Sequence, residues 1–138
     1  MKKILVAHDG SDHADKALLE AAELARNHAA TLTVVSVVPN LCFSEIGIDC
    51  DTVTRLYRAE IEGAMEGIKT LLAEKGIVAT TMILEGKPAD VICDHARGMG
   101  FDLVVVGSRG KQATERAVIG SVSSRIVGCA PCSVLVVR

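Results

Sequence analysis

The stretch VVVGSRGKQATERAVIGSVSS, Val104–Ser124, decides how the rest of the chain is read. Its valines stop on Gly107, a second glycine stands at Gly110, and Gly120 is followed by Ser121. A β-branched apolar run ending on glycine reads as a buried strand leaving its sheet. The segment IGSVSSRIVGCA reads as the helix that follows. A phosphate site needs backbone N–H groups aimed at one point with nothing bulky in the way. Gly107 would let the backbone turn sharply, and Gly110 would let it curl back. Gly120 and Ser121 fall at the start of the helix, where free N–H groups and the dipole favour an anion. Ser121 adds a hydroxyl, and Arg109 and Lys111 add positive charge. On spacing alone, a plain loop between strand and helix remains as good a reading. The chain has neither the G-x-x-x-x-G-K-[ST] of a Walker A loop nor the G-x-G-x-x-G of dinucleotide folds.

Working outward, apolar runs alternate with helical periodicity. KILVA, Lys3–Ala7, is a first buried strand that stops at the turn-forming HDGSD. Ala14, Ala17, Leu18, Ala21, Leu24 and Ala25 recur as one helix face to about His28, with Ser11 or Asp12 as N-cap. TLTVVSVV, Thr31–Val38, is a second strand ended by Pro39. Residues 40–50, NLCFSEIGIDC, have no period and read as a surface loop. A helix follows from about Asp51 to Lys75, its stripe carried by Val53, Leu56, Ile61, Ala64, Ile68, Leu71 and Leu72, with Gly76 closing it. VATTMIL is a third strand, KPADVICDHARGMG a short helix, DLVVVG a fourth strand and SVLVVR a fifth. Five strands alternating with four helices imply an α/β, Rossmann-like open parallel sheet with helices on both faces. Ligands of such sheets sit at the carboxyl ends of the strands. The turns HDGS and GSRGK are therefore the two places to look.

The totals agree. The chain has 138 residues, half of them apolar and almost none aromatic, so valine, isoleucine, leucine and alanine must build the core. No linker, low-complexity tract or repeat divides it, and one domain over residues 1–138 is expected. A net charge of −2 gives no general attraction to nucleic acid or anionic lipid. No apolar run reaches the roughly 20 residues of a membrane span, and the short ILVA after MKK is no signal-peptide core. A cytoplasmic protein is expected. Its cysteines number five, an odd count that argues against a disulfide framework and for reduced thiols.

The spacing G-x2-G-x9-G-[ST], met by Gly107, Gly110, Gly120 and Ser121, resembles the nucleotide-binding signature of the universal stress protein family, in its ATP-binding branch. The resemblance runs along the whole chain. KKILVAHDGSDHADKALLEAAELA is similar to the family's opening strand and helix, EGKPADVICDHA to its third-strand exit, and APCSVLVV to its closing strand. The resemblance implies a sheet of order 3-2-1-4-5, which would merge the two turns into one cleft. It also implies ATP held with Mg2+ or Mn2+, and a homodimer through the last strand, Ser133–Arg138. The exit of the first strand, Ala7, His8 and Asp9, would border the nucleotide, with Asp9 facing the ribose or a phosphate-bound metal. Val37 would offer backbone groups to the adenine edge. Gly107 and Gly110 would line ribose and α-phosphate, beside Arg109. Gly120, Ser121 and Val122 would hold the distal phosphates. Glu115, in the spacer, departs from this scheme because its charge opposes phosphate if turned inward.

Other features carry less. CAPC, Cys129–Cys132, follows a helix rather than opening one, so the dipole disfavours the thiolate that redox chemistry needs. A zinc site joining it to Cys42 and Cys50 would need distant loops to converge. The histidines His8, His13, His28 and His95 lack metal spacing. His8 is placed beside the base pocket, the others on the surface or on helix faces. Ser123 is as readily a surface residue as a phosphate contact. The leading expectation is an ATP-binding stress-response module whose occupancy alters its dimer or its regulatory protein partners. The alternative is a slow ATP hydrolase or phosphoryl-transfer enzyme in the same cleft, for which no general base can be named.

Overall fold

The structure, a computed structural model, describes residues 1–40, 50–109 and 119–138. Gly110, Lys111, Glu115, Cys42 and nearly all of the loop after Asn40 lie outside the described residues. The elements run β1 (Lys3–Ala7), α1 (Asp12–His28), β2 (Thr31–Val38), α2 (Cys50–Glu74), β3 (Ala79–Glu85), α3 (Pro88–Met99), β4 (Leu103–Gly107), α4 (Ser121–Cys129) and β5 (Ser133–Val137). All strand pairs are parallel, and the sheet order is β3-β2-β1-β4-β5.

Alternation along the strands builds a core on each face. Ile4, Val6, Val34 and Val105 pack with α1 and with Met65, Ile68 and Leu72 of α2. Leu5, Val35, Val104 and Val106 pack with Ala89, Ile92 and Ala96 of α3 and Ile126 of α4. The central strands are buried on both sides, which is why they read as unbroken apolar runs. Ser11 caps α1, its Oγ accepting the Ala14 N–H at 3.2 Å. α2 closes over Gly76 at φ +68°, with the Ile77 N–H bonded to the Leu72 carbonyl at 2.9 Å.

The predicted stripe of α2 needs correction in its first half. Leu56 is 68 % exposed, and the buried residues of the helix are Met65, Ile68 and Leu72. The first half of α2 has a cleft, not the sheet, beside it. The expectation of reduced thiols is also overturned. Cys93 and Cys129, 36 residues apart on adjacent helices, form a disulfide, and Cys50 is disulfide-bonded as well. Only Cys132 is free among the described cysteines. A count of cysteines carries no information on which pair the helices bring together.

Asp102 ties the entries of β1 and β4. Its Oδ2 accepts the N–H groups of Lys2 at 2.7 Å and Lys3 at 2.9 Å, and these two donors hold its pKa below the ordinary value of 3.8. A depressed carboxylate pKa adds stability above the unfolded value, and that contribution disappears as pH falls through the folded one. The wild-type advantage over Asp102→Asn should therefore be flat from about pH 5 to 8 and shrink below about pH 4. Denaturant melts of both proteins across that range check it, and an advantage unchanged in acid would refute it.

Candidate functional site

The carboxyl ends of β1, β2 and β4 open into a cleft of about 490 Å³. That lies within the roughly 300–1,000 Å³ of small-ligand sites. Sheet order makes the cleft: β1 stands between β2 and β4, so the turns leaving β1 and β4 face each other. Of the residues singled out in the sequence, Ala7, His8, Asp9, Val37, Gly107, Arg109, Gly120, Ser121 and Val122 all line it.

Each is held by local bonding. His8 is 4 % exposed and each of its polar groups has a partner in the protein. Its N–H donates to the Val35 carbonyl at 2.9 Å, and its own carbonyl accepts the Ser36 hydroxyl at 2.9 Å. The Gly10 N–H reaches Nδ1 at 3.0 Å, so Nδ1 carries no proton. Nε2 is then the protonated nitrogen, and it donates to Asp15 Oδ1 at 2.8 Å. His8 thus fixes the turn that presents Asp9. Asp9 is exposed, and its Oδ1 accepts both the Ser11 N–H, at 3.0 Å, and the Ser11 hydroxyl, at 2.5 Å.

Val37 owes its place to strand register. β1 pairs with β2 only as far as Ala7 opposite Val35. The Val35 carbonyl points toward β1, where it meets His8. Two residues on, the N–H and C=O of Val37 point the same way, past the last β1 pairing and into the cleft.

Gly107 lines the cleft, but the sharp turn expected of it is corrected. It is the last residue of β4 and is not among the positive-φ glycines, so it makes no sharp turn. A Cβ there would lie 2.8 Å from the His13 carbonyl carbon of α1. The glycine exists because a helix backbone rests on it. The surface alternative for Ser123 is corrected: it is buried, it lines the cleft, and its hydroxyl donates to the Gly107 carbonyl at 2.6 Å, joining α4 to β4. Gly120 is the N-cap of α4 and Ser121 its first helical residue, and Gly120 brings no side chain to cap the helix. The Gly120 N–H donates to the Ser108 carbonyl at 2.5 Å, which brings the two ends of the glycine stretch together.

Sequence reasoning missed one wall. Tyr57 and Pro39 line the cleft, as does Ile92 from α3, and Ile61 and Ala64 of the predicted α2 stripe face it rather than the core. The hint was Tyr57 itself, the only tyrosine of the chain, at the unsupported end of α2. Within CAPC, Cys129 is bonded to Cys93 and Cys132 is a free thiol. The motif straddles the end of α4, and burial, followed by the Asp102 carboxylate, pushes the Cys132 thiol up. Among the described residues, no group of three histidines, cysteines or carboxylates could hold a metal ion, and no helix is long and apolar enough to cross a membrane.

The universal stress protein family model matches residues 1–138 of the chain. The chain belongs to the universal stress protein family. The universal stress protein YxiE of Bacillus subtilis is 34 % identical, over 99 % of this chain and 98 % of its own length. Among solved structures, the universal stress protein UspA from Lactobacillus plantarum superposes with a TM-score of 0.89 at 30 % identity, over 99 % of this chain and 97 % of that one. A universal stress protein from Archaeoglobus fulgidus, solved in complex with dAMP, shares the fold at a TM-score of 0.74 and 23 % identity, covering 100 % of this chain and 98 % of its own.

Proposed function

We propose that this universal stress protein binds an adenine nucleotide, ATP, in the cleft and acts as a binding module rather than a rapid catalyst. The observation that carries the reading is the meeting of two chemistries in one cleft. One end holds the start of α4, whose N-cap Gly120 has no side chain, with Ser121 and the Arg109 side, suited to phosphates. The other is an apolar wall of Pro39, Tyr57 and Ile61 beside the backbone of Val37, suited to a base. The complex of the Archaeoglobus fulgidus relative with dAMP accords with a nucleotide on this fold.

A divalent metal would come with the nucleotide. Among the described residues only single carboxylates face the cleft rather than a ligand cluster. Mg2+ suits such a setting, since it takes phosphate oxygens and water with one or two carboxylates. Asp9 is the residue that would approach it, with one oxygen already turned to Ser11. Charge neutralisation is what the metal would supply. Gly110 and Lys111 would complete the phosphate side. Homodimerisation through β5 belongs to the same reading: β5 is an edge of the sheet, and Val134, Leu135, Val136 and Val137 along it are only partly buried.

The test is direct. The purified protein is denatured and any released small molecule identified by mass spectrometry; protein stripped of it is then titrated calorimetrically with ATP, ADP and AMP, each with Mg2+. Recovered or tightly bound ATP supports the reading. A folded protein that binds none of the three overturns it. Light scattering on the same sample should give twice the chain mass, and a monomer at high concentration would remove the dimer.

A further inference from the structure

We propose that Cys93 and Cys129 form a reversible two-electron oxidation site, reactive toward peroxides, whose disulfide clamps α4 and tightens the cleft. The effect on ligand rests on the nucleotide reading above, whereas the oxidation site and its hold on α4 do not. The Cα atoms are 6.0 Å apart, inside the roughly 4.4–6.8 Å that a bridge spans. Cys93 is 2 % exposed on α3 and Cys129 is partly exposed at the last position of α4. A reagent from solvent therefore meets Cys129 first, with Cys93 behind it as the resolving thiol.

The clamp acts on a weakly anchored element. α4 has nine residues and buries only Ser123 and Ile126. Among the described residues its polar ties include the buried Ser123 hydroxyl to Gly107 and the Gly120 N–H to Ser108 near its start, and, near the surface, Arg125 to Asp90 at 3.1 Å and the Cys129 carbonyl to Arg97 at 3.4 Å. The disulfide adds a covalent tie at one end of the helix, and the other end is the Gly120–Val122 margin of the cleft. The same bond reaches the cleft from α3, since Ile92, next to Cys93, lines it. Oxidation thus holds both helices that border the cleft on this face of the sheet.

The chemistry balances with hydrogen peroxide as oxidant. The carboxyl end of α4 does not favour a standing thiolate at Cys129, so the reaction is slow and proceeds through the small deprotonated fraction: the Cys129 thiol loses its proton to solvent, its sulfur attacks one peroxide oxygen, the O–O bond breaks, and hydroxide leaves, giving a sulfenic acid. The Cys93 sulfur attacks the sulfenic sulfur and the hydroxyl leaves as water. Two thiols lose two electrons and two protons in all, and the peroxide becomes two waters. A dithiol restores the pair by exchange through a mixed disulfide.

The experiment compares wild type, Cys93→Ser and Cys132→Ser, each reduced with dithiothreitol or treated with stoichiometric hydrogen peroxide. Alkylated, unreduced digests are mapped by mass spectrometry. Amide hydrogen exchange of residues 121–129 and ATP affinity are measured on the same samples. Oxidised wild type and Cys132→Ser should yield a peptide linking Cys93 to Cys129, with α4 amides exchanging about tenfold or more slower and ATP binding about 5–50-fold tighter than when reduced. Cys93→Ser should keep reduced-state affinity and lose both redox effects, which also separates this pair from the bonded Cys50. Absence of the linked peptide overturns the oxidation site. A linked peptide with unchanged α4 exchange overturns the clamp, and slowed exchange with unchanged ATP affinity overturns the effect on ligand. Slowed exchange in a protein that binds no nucleotide in either state upholds the clamp and overturns the proposed function instead.

Discussion

Gly107→Val should lower the unfolding free energy by roughly 2–3 kcal/mol or more, at the upper end of overpacking effects. The new Cβ would stand 2.8 Å from the His13 carbonyl carbon and 2.9 Å from that residue's Cβ and carbonyl oxygen. Two of those atoms belong to the backbone of α1's first turn, which cannot swing aside as a side chain can. Relief would require α1 to lift from β4, and His13 with it, disturbing the 3.4 Å approach of His13 Nδ1 to the Ser108 hydroxyl. The same movement would shift Asp15 away from His8 and so distort the turn carrying Asp9. Loss of ligand binding in this variant would follow from the fold. Gly67→Ala is the control: nothing lies within 4 Å of a Cβ at this site in α2, and it should be neutral or stabilising by about 0.5–1 kcal/mol. Urea unfolding of both decides it. A Gly107→Val protein as stable as wild type would show that β4 and α1 are not in the contact described.

His8→Ala should cost about 2–4 kcal/mol, mostly from the cavity left by a buried side chain, since Gly10 is exposed and water can take up its freed N–H. The imidazole is 3 % exposed, and its removal leaves the Gly10 N–H without its partner. The Asp15 carboxylate is 54 % exposed, so water replaces what it loses, and little of the cost arises there. Asp15→Ala should accordingly cost under about 1 kcal/mol. His8→Asn, whose amide oxygen can take the Gly10 N–H, should recover part of the loss. If Asp15→Ala were as damaging as His8→Ala, the stabilisation would lie in the His8–Asp15 pair and not in the turn.

Most of the scaffold was legible in the chain because it follows local periodicity. β1 and β2 lie where their apolar runs end, and α1 begins at its Ser11 cap and ends at His28 as its alanine-rich face predicts. The helix start at Gly120 and Ser121 was legible for the same reason, since caps and turns are short-range features. Leu56 shows where this fails: the stripe has the right period, but whether a sheet lies beneath it is not a property of the helix.

The sequence by itself determined the α/β alternation, the two turns worth examining, and, through the glycine spacing, the family. Only the tertiary structure decided what those residues touch. Gly107 is a glycine because of His13, 94 positions away in the chain by their numbers. Cys93 meets Cys129 across 36 residues, Ser123 bonds Gly107 across 16, and Tyr57 faces the cleft rather than the core. Hydrophobic patterning records which face of an element is buried. It does not record which backbone, thiol or hydroxyl the packing of two elements will bring against that face, because that depends on strand order and helix placement.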